Sequence, residues 1–239
     1  MDENRMIPNG FAGKILWVDL GRKKFWEEHI PQQVYQKFLS GSGLGAYILY
    51  RDMPPGADPL GPENMLGFVS GLLTGTGALF AGRWMVVSKS PLTGTWGESN
   101  CGGNFSPAIK RCGYDEIFFK GKSVRPVCVM IEESEVRFLD AKSLWGLDAV
   151  ETQETLRASY GKQYSIACIG QAGEKLSLIS GIVNDGARIA ARMGLGAVMG
   201  SKNLKAVLIS GKIRTNASNS DAINRLNQNV TRWVKKQPL

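Results

Sequence analysis

The chain has 239 residues, 43% apolar and 21% charged, with a formal net charge of +8. That length makes one large domain or two small ones, and the absence of any run of about 18 apolar residues excludes a transmembrane helix. Residues 1–10 are polar and hold no apolar signal-peptide core, so the sequence predicts a cytoplasmic protein with no membrane partner.

The first elements are two strands, 14–20 and 24–30, with Gly21 and Arg22 at the turn between them. Pro31 fits the first turn of a helix that carries Val34, Phe38 and Leu39 at helical spacing. The next segment, Gly41-Ser-Gly43-Leu-Gly45-Ala46, has the letters of the dinucleotide-binding fingerprint. A helix precedes it where a strand is needed, and no acidic residue follows on a second strand, so it reads as a helix C-cap and turn. Prolines and glycines make 54–62 an irregular loop. Strands are expected at 65–73, 84–88, 117–119, 127–131, 136–139, 165–169, 176–183 and 206–209. Helices are expected at 106–111 and 147–160, the second being the more clearly amphipathic. The fold class is α+β, strand-rich, with few crossover helices.

One internal echo stands out. Residues 103–122 run from a glycine-led short helix into Tyr114-Asp-Glu-Ile-Phe-Phe-Lys-Gly-Lys, and 194–212 repeat that order about 90 residues later. A duplication would place two glycine-opened helix N-termini in comparable positions, each favourable to an anion.

The positive charge is concentrated at one end. Residues 212–239 hold six cations (Lys212, Arg214, Arg225, Arg232, Lys235, Lys236) against Asp221, which leaves a nearly balanced body and argues against a nucleic-acid groove. The four cysteines, at 101, 112, 128 and 168, are too widely spaced for a metal knuckle, and the one histidine is His29. An iron–sulfur or zinc site built from this chain alone, and a histidine-dependent triad, are both disfavoured. Cys128 and Cys168 lie in apolar runs and read as core thiols.

Glycine is in excess, 29 residues or about 12% against a usual figure of roughly 7%. Much of it falls in three segments: 73–94, 98–105 and 184–205. Each joins glycines, which admit a ligand close to backbone N–H groups, to Arg or Lys side chains that grip phosphate oxygens. None has the Walker order of Gly and Lys. Together they suggest a site for an organic phosphate or a phosphorylated cofactor.

Taken in order, Leu73-Thr-Gly-Thr, Gly82-Arg83, Ser88-Lys-Ser-Pro-Leu-Thr-Gly94, Asn100-x-Gly-Gly103, Gly113-Tyr-Asp-x-Ile117, Ile169-Gly-x-Ala-Gly-Glu174, Asn184-Asp-Gly186 and Gly194-x-Gly-Ala-Val-Met-Gly-Ser-Lys-Asn-Leu-Lys-Ala206 resemble the N-terminal domain of the tungsten-containing aldehyde:ferredoxin oxidoreductase family. The resemblance covers about residues 10–211. It implies two packed β-sheets forming a base for a bis-pterin cofactor of tungsten (or molybdenum), with Mg²⁺ linking the pterin phosphates. Carried over by motif, it implies that Arg83, Asn100, Gly102, Arg188, Ile189, Ala191 and Arg192 line the cofactor. The main-chain carbonyls of Asn100 and Ile189 would bind the Mg²⁺, a hard cation suited to oxygen donors. Cys101 and Ala191 depart from the family's commoner Ser and Gly, and Ala191 adds a methyl beside the cofactor.

The resemblance further implies aldehyde oxidation to a carboxylic acid, with electrons passed through a 4Fe-4S cluster to ferredoxin. The cluster ligands and acid/base residues would lie in C-terminal domains outside this chain. On this reading residues 1–211 are the cofactor-base domain, which alone is inactive and self-associates, for example as a homodimer. Residues 212–239 are a linker and the first helix of a second domain, with Ser220 as N-cap and Ile223, Leu226, Val230, Trp233 and Val234 on one face. The alternative is a non-catalytic pterin-binding subunit or stand-alone module of a larger oxidoreductase.

Overall fold

The computed structural model describes residues 6–237; the first five and the last two, at the outer ends of the two expected segments, lie outside the described residues. Strand β1 (Met6–Ile7) stands apart and pairs in parallel with residues 214–215. The first sheet holds β2 (Lys14–Asp19), β3 (Lys24–His29), β4 (Leu66–Ser70), β5 (Trp84–Lys89), β6 (Trp96–Cys101) and β7 (Glu116–Lys120), in the order β3-β2-β7-β4-β5-β6. The second holds β8 (Val127–Glu132), β9 (Glu135–Asp140), β10 (Ser165–Cys168), β11 (Ile182–Asn184), β12 (Arg188–Ala190) and β13 (Leu204–Ser210), in the order β9-β8-β13-β10-β11-β12.

These two orders are the same topology. Each sheet begins with an antiparallel hairpin, its sixth strand lies parallel to the hairpin's first, and the third, fourth and fifth follow antiparallel. The helices repeat as well. Helices α1 (Gln32–Phe38) and α2 (Ser42–Asp52) follow the first hairpin, and α3 (Phe105–Arg111) precedes β7. Helix α4 (Ala149–Tyr160) and the one-turn α5 (Gln171–Glu174) fall in the second half, where α6 (Leu195–Ser201) precedes β13. Helices α3 and α6 start 90 residues apart, the offset of the sequence echo. The last elements are β14 (Arg214–Thr215) and α7 (Ser220–Val234).

The layers follow from strand alternation. Leu16, Val18, Phe68, Val86, Ile117 and Phe119 of the first sheet meet Val129, Ile131, Ala167, Val207 and Ile209 of the second in one core. Between the sheets that core also takes Phe105 and Ile109 of α3 and Leu195, Val198 and Met199 of α6. The opposite face of the first sheet, with Ile15, Trp17, Val69, Val87 and Phe118, is covered by Leu44, Ile48 and Leu49 of α2. The outer face of the second carries Cys128, Met130, Ile166 and Cys168 beneath Leu156 of α4. Burial pushes both of these core thiols up to about 12. Asp148 caps α4 by accepting from Val150 N and Glu151 N, and Glu151 returns a bond to the Asp148 N–H.

Several expectations need correction. Residues 41–46 are no turn: Gly41 is the N-cap of α2, and Gly43 and Gly45 lie inside it. A Cβ on Gly43 would meet Phe38 O at 2.1 Å and one on Gly45 would meet Val87 at 3.0 Å, so these glycines let α2 close on α1 and on the sheet. The strand expected at 176–183 shrinks to β11, because Leu176 turns left-handed (φ 58°) and the chain loops through 177–181. Strand 65–73 ends at Ser70, where Gly71 begins a turn. Strands β6 and β12 were not expected: glycine and polar residues hide the first, and the second has only three residues. Asn219, rather than Ser220, caps α7 by accepting from Ala222 N at 2.8 Å.

Candidate functional site

The candidate residues come from the ends of β5, β6 and β12, where the outer strands of the two sheets, β6 and β12, face each other. Arg83 immediately precedes β5, and its Nε donates to Asn100 Oδ1 at 2.9 Å while Nη2 reaches the Asn100 carbonyl at 3.3 Å. That clamp holds the guanidinium of the first sheet against the end of β6. Arg188 arrives from the second sheet, on β12. Both arginines converge on Gly102, where a Cβ would lie 3.5 Å from Arg188 Nη1 and 4.0 Å from Arg83 Nη1. Gly102 thus leaves a shallow space between two guanidinium groups.

Ile189, beside Arg188 on β12, exposes its side chain, and Ala191 is exposed just beyond the strand. Arg192 joins through its backbone, whose carbonyl accepts from Ser99 Oγ at 3.1 Å. Arg192, Met193 and Gly194 all take left-handed φ values (73°, 56° and 67°). A non-glycine residue held there costs on the order of 1–3 kcal/mol and persists only where the surroundings impose it, most often at functional sites. Here Ser90 Oγ pins the Met193 carbonyl at 2.8 Å, and a Cβ on Gly194 would strike Leu178 O at 2.4 Å.

Cations outnumber anions on this face: Arg83, Arg188 and Arg192 against the Asp185 carboxylate, which bonds Asn104 N–H. Among the described residues no ion pair engages the guanidinium of Arg83, Arg188 or Arg192. Cys101 is buried between Asn100 and Gly102 as a free thiol; burial raises its pKa, while Arg83 and Arg188 oppose that rise. No cluster of three or more His, Cys, Asp or Glu side chains among the described residues could ligate a metal. The oxygen donors on this face are main-chain carbonyls and the Asn100 amide. Unpaired cations around a glycine space, beside carbonyl oxygens, fit a phosphorylated ligand and a hard cation bound through its phosphates.

The surface is open. A cleft of about 420 Å³ lined by Trp17, Trp26, Glu28, Arg51 and Lys120 lies elsewhere, on the outer side of the first sheet. The loops leading into β5 and β11 expose Leu73, Leu79, Phe80, Leu178 and Ile179. Reasoning from sequence omitted the residues that hold the face together: Ser90, Ser99, Gln153, Asn184 and Asp185. The run Asn184-Asp-Gly186 lay within a singled-out segment, but nothing in its letters gave those side chains a target.

The model of the aldehyde ferredoxin oxidoreductase N-terminal domain matches residues 15–211. The chain is 40% identical over 231 residues to the tungsten-containing aldehyde ferredoxin oxidoreductase of Pyrococcus abyssi, covering 96% of this chain and 38% of that protein. It is 43% identical over 203 residues to the Pyrococcus furiosus protein of the same name (84% and 34%). The aliphatic sulfonate oxidoreductase WOR-like subunit of P. furiosus is 35% identical over 218 residues (84% and 34%). Among solved structures, a chain of the active-site complex BamBC of benzoyl coenzyme A reductase, in complex with 1,5-dienoyl-CoA, superposes with a TM-score of 0.92 at 35% identity. It covers 95% of this chain and 35% of that one. The chain therefore spans little more than a third of these relatives' length.

Proposed function

The chain belongs to the aldehyde ferredoxin oxidoreductase family, and from that premise we propose that it is the cofactor-base domain of an enzyme oxidising an aldehyde to a carboxylic acid. The observation that carries this reading is the convergence of Arg83 and Arg188, one from each sheet, on the side-chain-free Gly102. In this reading Arg83, Arg188 and Arg192 neutralise pterin phosphate oxygens, Gly102 lets the ligand approach the backbone, and Ala191 lines the site with its added methyl. The carbonyls of Asn100 and Ile189 would hold a Mg²⁺, which would supply positive charge beside the phosphates. When bound, the pterin-held tungsten or molybdenum supplies the two-electron redox chemistry; this domain supplies position and charge.

The remaining functions belong to polypeptide beyond this chain: ligation of a 4Fe-4S cluster, acid/base chemistry and delivery of electrons to ferredoxin. Helix α7 supports that division. It buries no residue, and Leu226, Trp233 and Val234 stay exposed, as expected of the first helix of a further domain; β14 holds the preceding segment on this one, and Asn227 bonds Leu79 N and the Gly77 carbonyl. Among the described residues no helix is long and apolar enough to cross a membrane, and we place the protein in the cytoplasm.

A second reading, a pterin-binding subunit within a larger oxidoreductase assembly, draws on the names of two relatives, one a subunit and one part of a complex. Aldehyde-dependent reduction of ferredoxin or a viologen dye by the full natural protein separates the two. Turnover by the purified polypeptide supports the first; pterin content with turnover only after a partner is added supports the second.

A further inference from the structure

The two sheets share one core but exchange no strand, so the spacing between the end of β6, with Asn100, and β12, with Ile189, depends on side-chain contacts between them. We propose that Asn184 and Asp185, braced by Gln153, are the positioning residues that lock these two strand ends together and so set the cation site between the Asn100 and Ile189 carbonyls. This rests on the cofactor-base reading.

The observations form one continuous chain of contacts. Asn184 ends β11 and is fully buried, and each half of its amide spans the gap to the other sheet. Its Nδ2 donates to the Gly102 carbonyl at 3.1 Å, and its Oδ1 accepts from Trp84 Nε1 at 3.3 Å. Asp185, held left-handed at φ 48°, accepts the Asn104 N–H through Oδ2, which also takes the second Asn184 Nδ2 bond at 3.1 Å. Gly103 is shaped around that carboxylate: its φ is 112°, and a Cβ there would stand 2.0 Å from Asp185 Oδ2 and 2.8 Å from Asn184 Nδ2. Any side chain at 103 would displace the Asp185 carboxylate and the Asn184 amide from these bonds.

From behind, Gln153 of α4 grips the next peptide on both sides. Its Nε2 donates to the Gly186 carbonyl at 3.1 Å and its Oε1 accepts the Gly186 N–H at 3.0 Å. Gln153 is itself fully buried. The turn 184–187 therefore cannot shift relative to α4, and the 102–104 loop cannot shift relative to the turn. Immediately after this turn, β12 carries Arg188 and Ile189. Neither Asn184 nor Asp185 need touch the ligand; they act through Gly102, Asn104 and β12.

The test uses the full natural protein, comparing Asp185→Ala, Asp185→Asn and a core variant, Ile131→Val, chosen because it lies in the inter-sheet core away from this turn. Magnesium, tungsten and pterin contents are measured during dialysis against graded Mg²⁺, together with Tm. Asp185→Ala should need about tenfold more Mg²⁺ to retain half its cofactor, the fold-change of one lost charge-assisted hydrogen bond. Asp185→Asn keeps a neutral acceptor for the Asn104 N–H and should lose clearly less Mg²⁺ than Asp185→Ala. Loss of Mg²⁺ in Asp185→Ala no greater than in Ile131→Val, or equal loss in Asp185→Asn, overturns the positioning role. A wild-type protein without pterin overturns the cofactor-base reading itself, and this inference with it.

Discussion

Helix α3 begins at the candidate site and ends in a buried charge cluster, which makes Lys110→Met an informative perturbation. Lys110 and Asp115 are both fully buried and form an ion pair. Asp115 also accepts from Ala12 N at 3.0 Å, Gly13 N at 2.9 Å and Tyr35 Oη at 2.6 Å, and Lys110 Nζ donates to the Gly10 carbonyl at 3.0 Å. Beside them Glu116 is fully buried, and among the described residues no side chain hydrogen-bonds or ion-pairs with its carboxylate. Burial above all, then Asp115, pushes the Glu116 carboxyl well above its usual range, with Lys110 opposing. Lys110 is thus the one cation among three buried groups, and removing it leaves the buried Asp115 charge with neutral hydrogen-bond donors only. Breaking one side of a buried pair costs about 3–5 kcal/mol, which for a chain of this size lowers Tm by roughly 6–20 °C. Urea unfolding followed by tryptophan fluorescence measures the loss. The double variant Lys110→Met/Asp115→Asn, which removes both charges, should recover about 1 kcal/mol or more relative to the single. A loss below about 1 kcal/mol for Lys110→Met, or strict additivity in the double variant, would refute this account of the cluster.

Other expectations follow from the same structure. Arg83→Ala and Arg188→Ala should each weaken cofactor retention by about 1.5–3 kcal/mol, the worth of a charge-assisted bond; normal tungsten and pterin in both would remove them from the site. Gly200→Ala would place a Cβ 2.0 Å from Gly173 O, where α6 crosses α5, and should cost about 1–3 kcal/mol by urea unfolding. Lys202 is buried against the Asn64 and Gly121 carbonyls, and that burial lowers its pKa to about 8. The unfolded chain therefore binds the extra proton between about pH 8 and 10.5, so this residue makes stability rise with pH across that window. Lys202→Met should flatten the rise, and an unchanged slope would show that Lys202 is not the titrating group.

Much of this architecture was readable from pattern. Short apolar runs gave β2, β5, β7, β8 and β10, and the 90-residue echo between α3–β7 and α6–β13 proved to be part of a full topological repeat. What escaped was whatever depends on tertiary partners. Strand β6 is half polar because Glu98 and Asn100 leave the core, and β12 has three residues, too few for a period to show. The helix through Gly43 and Gly45 contradicts local propensity, and only the approach of Phe38 and Val87 explains it. At the site, glycines and arginines were visible because their chemistry is local to the motif. Asn184, Asp185 and Gln153 were not, because each hydrogen-bonds to backbone remote in sequence or in another element.

The most direct test of the central claim is metal and pterin analysis of the full natural protein purified from its own host. The account predicts tungsten or molybdenum together with pterin in the proportion of a bis-pterin cofactor, accompanied by magnesium, with less of all three in Arg83→Ala. Protein free of both metal and pterin, yet folded and as stable as its relatives, would contradict it.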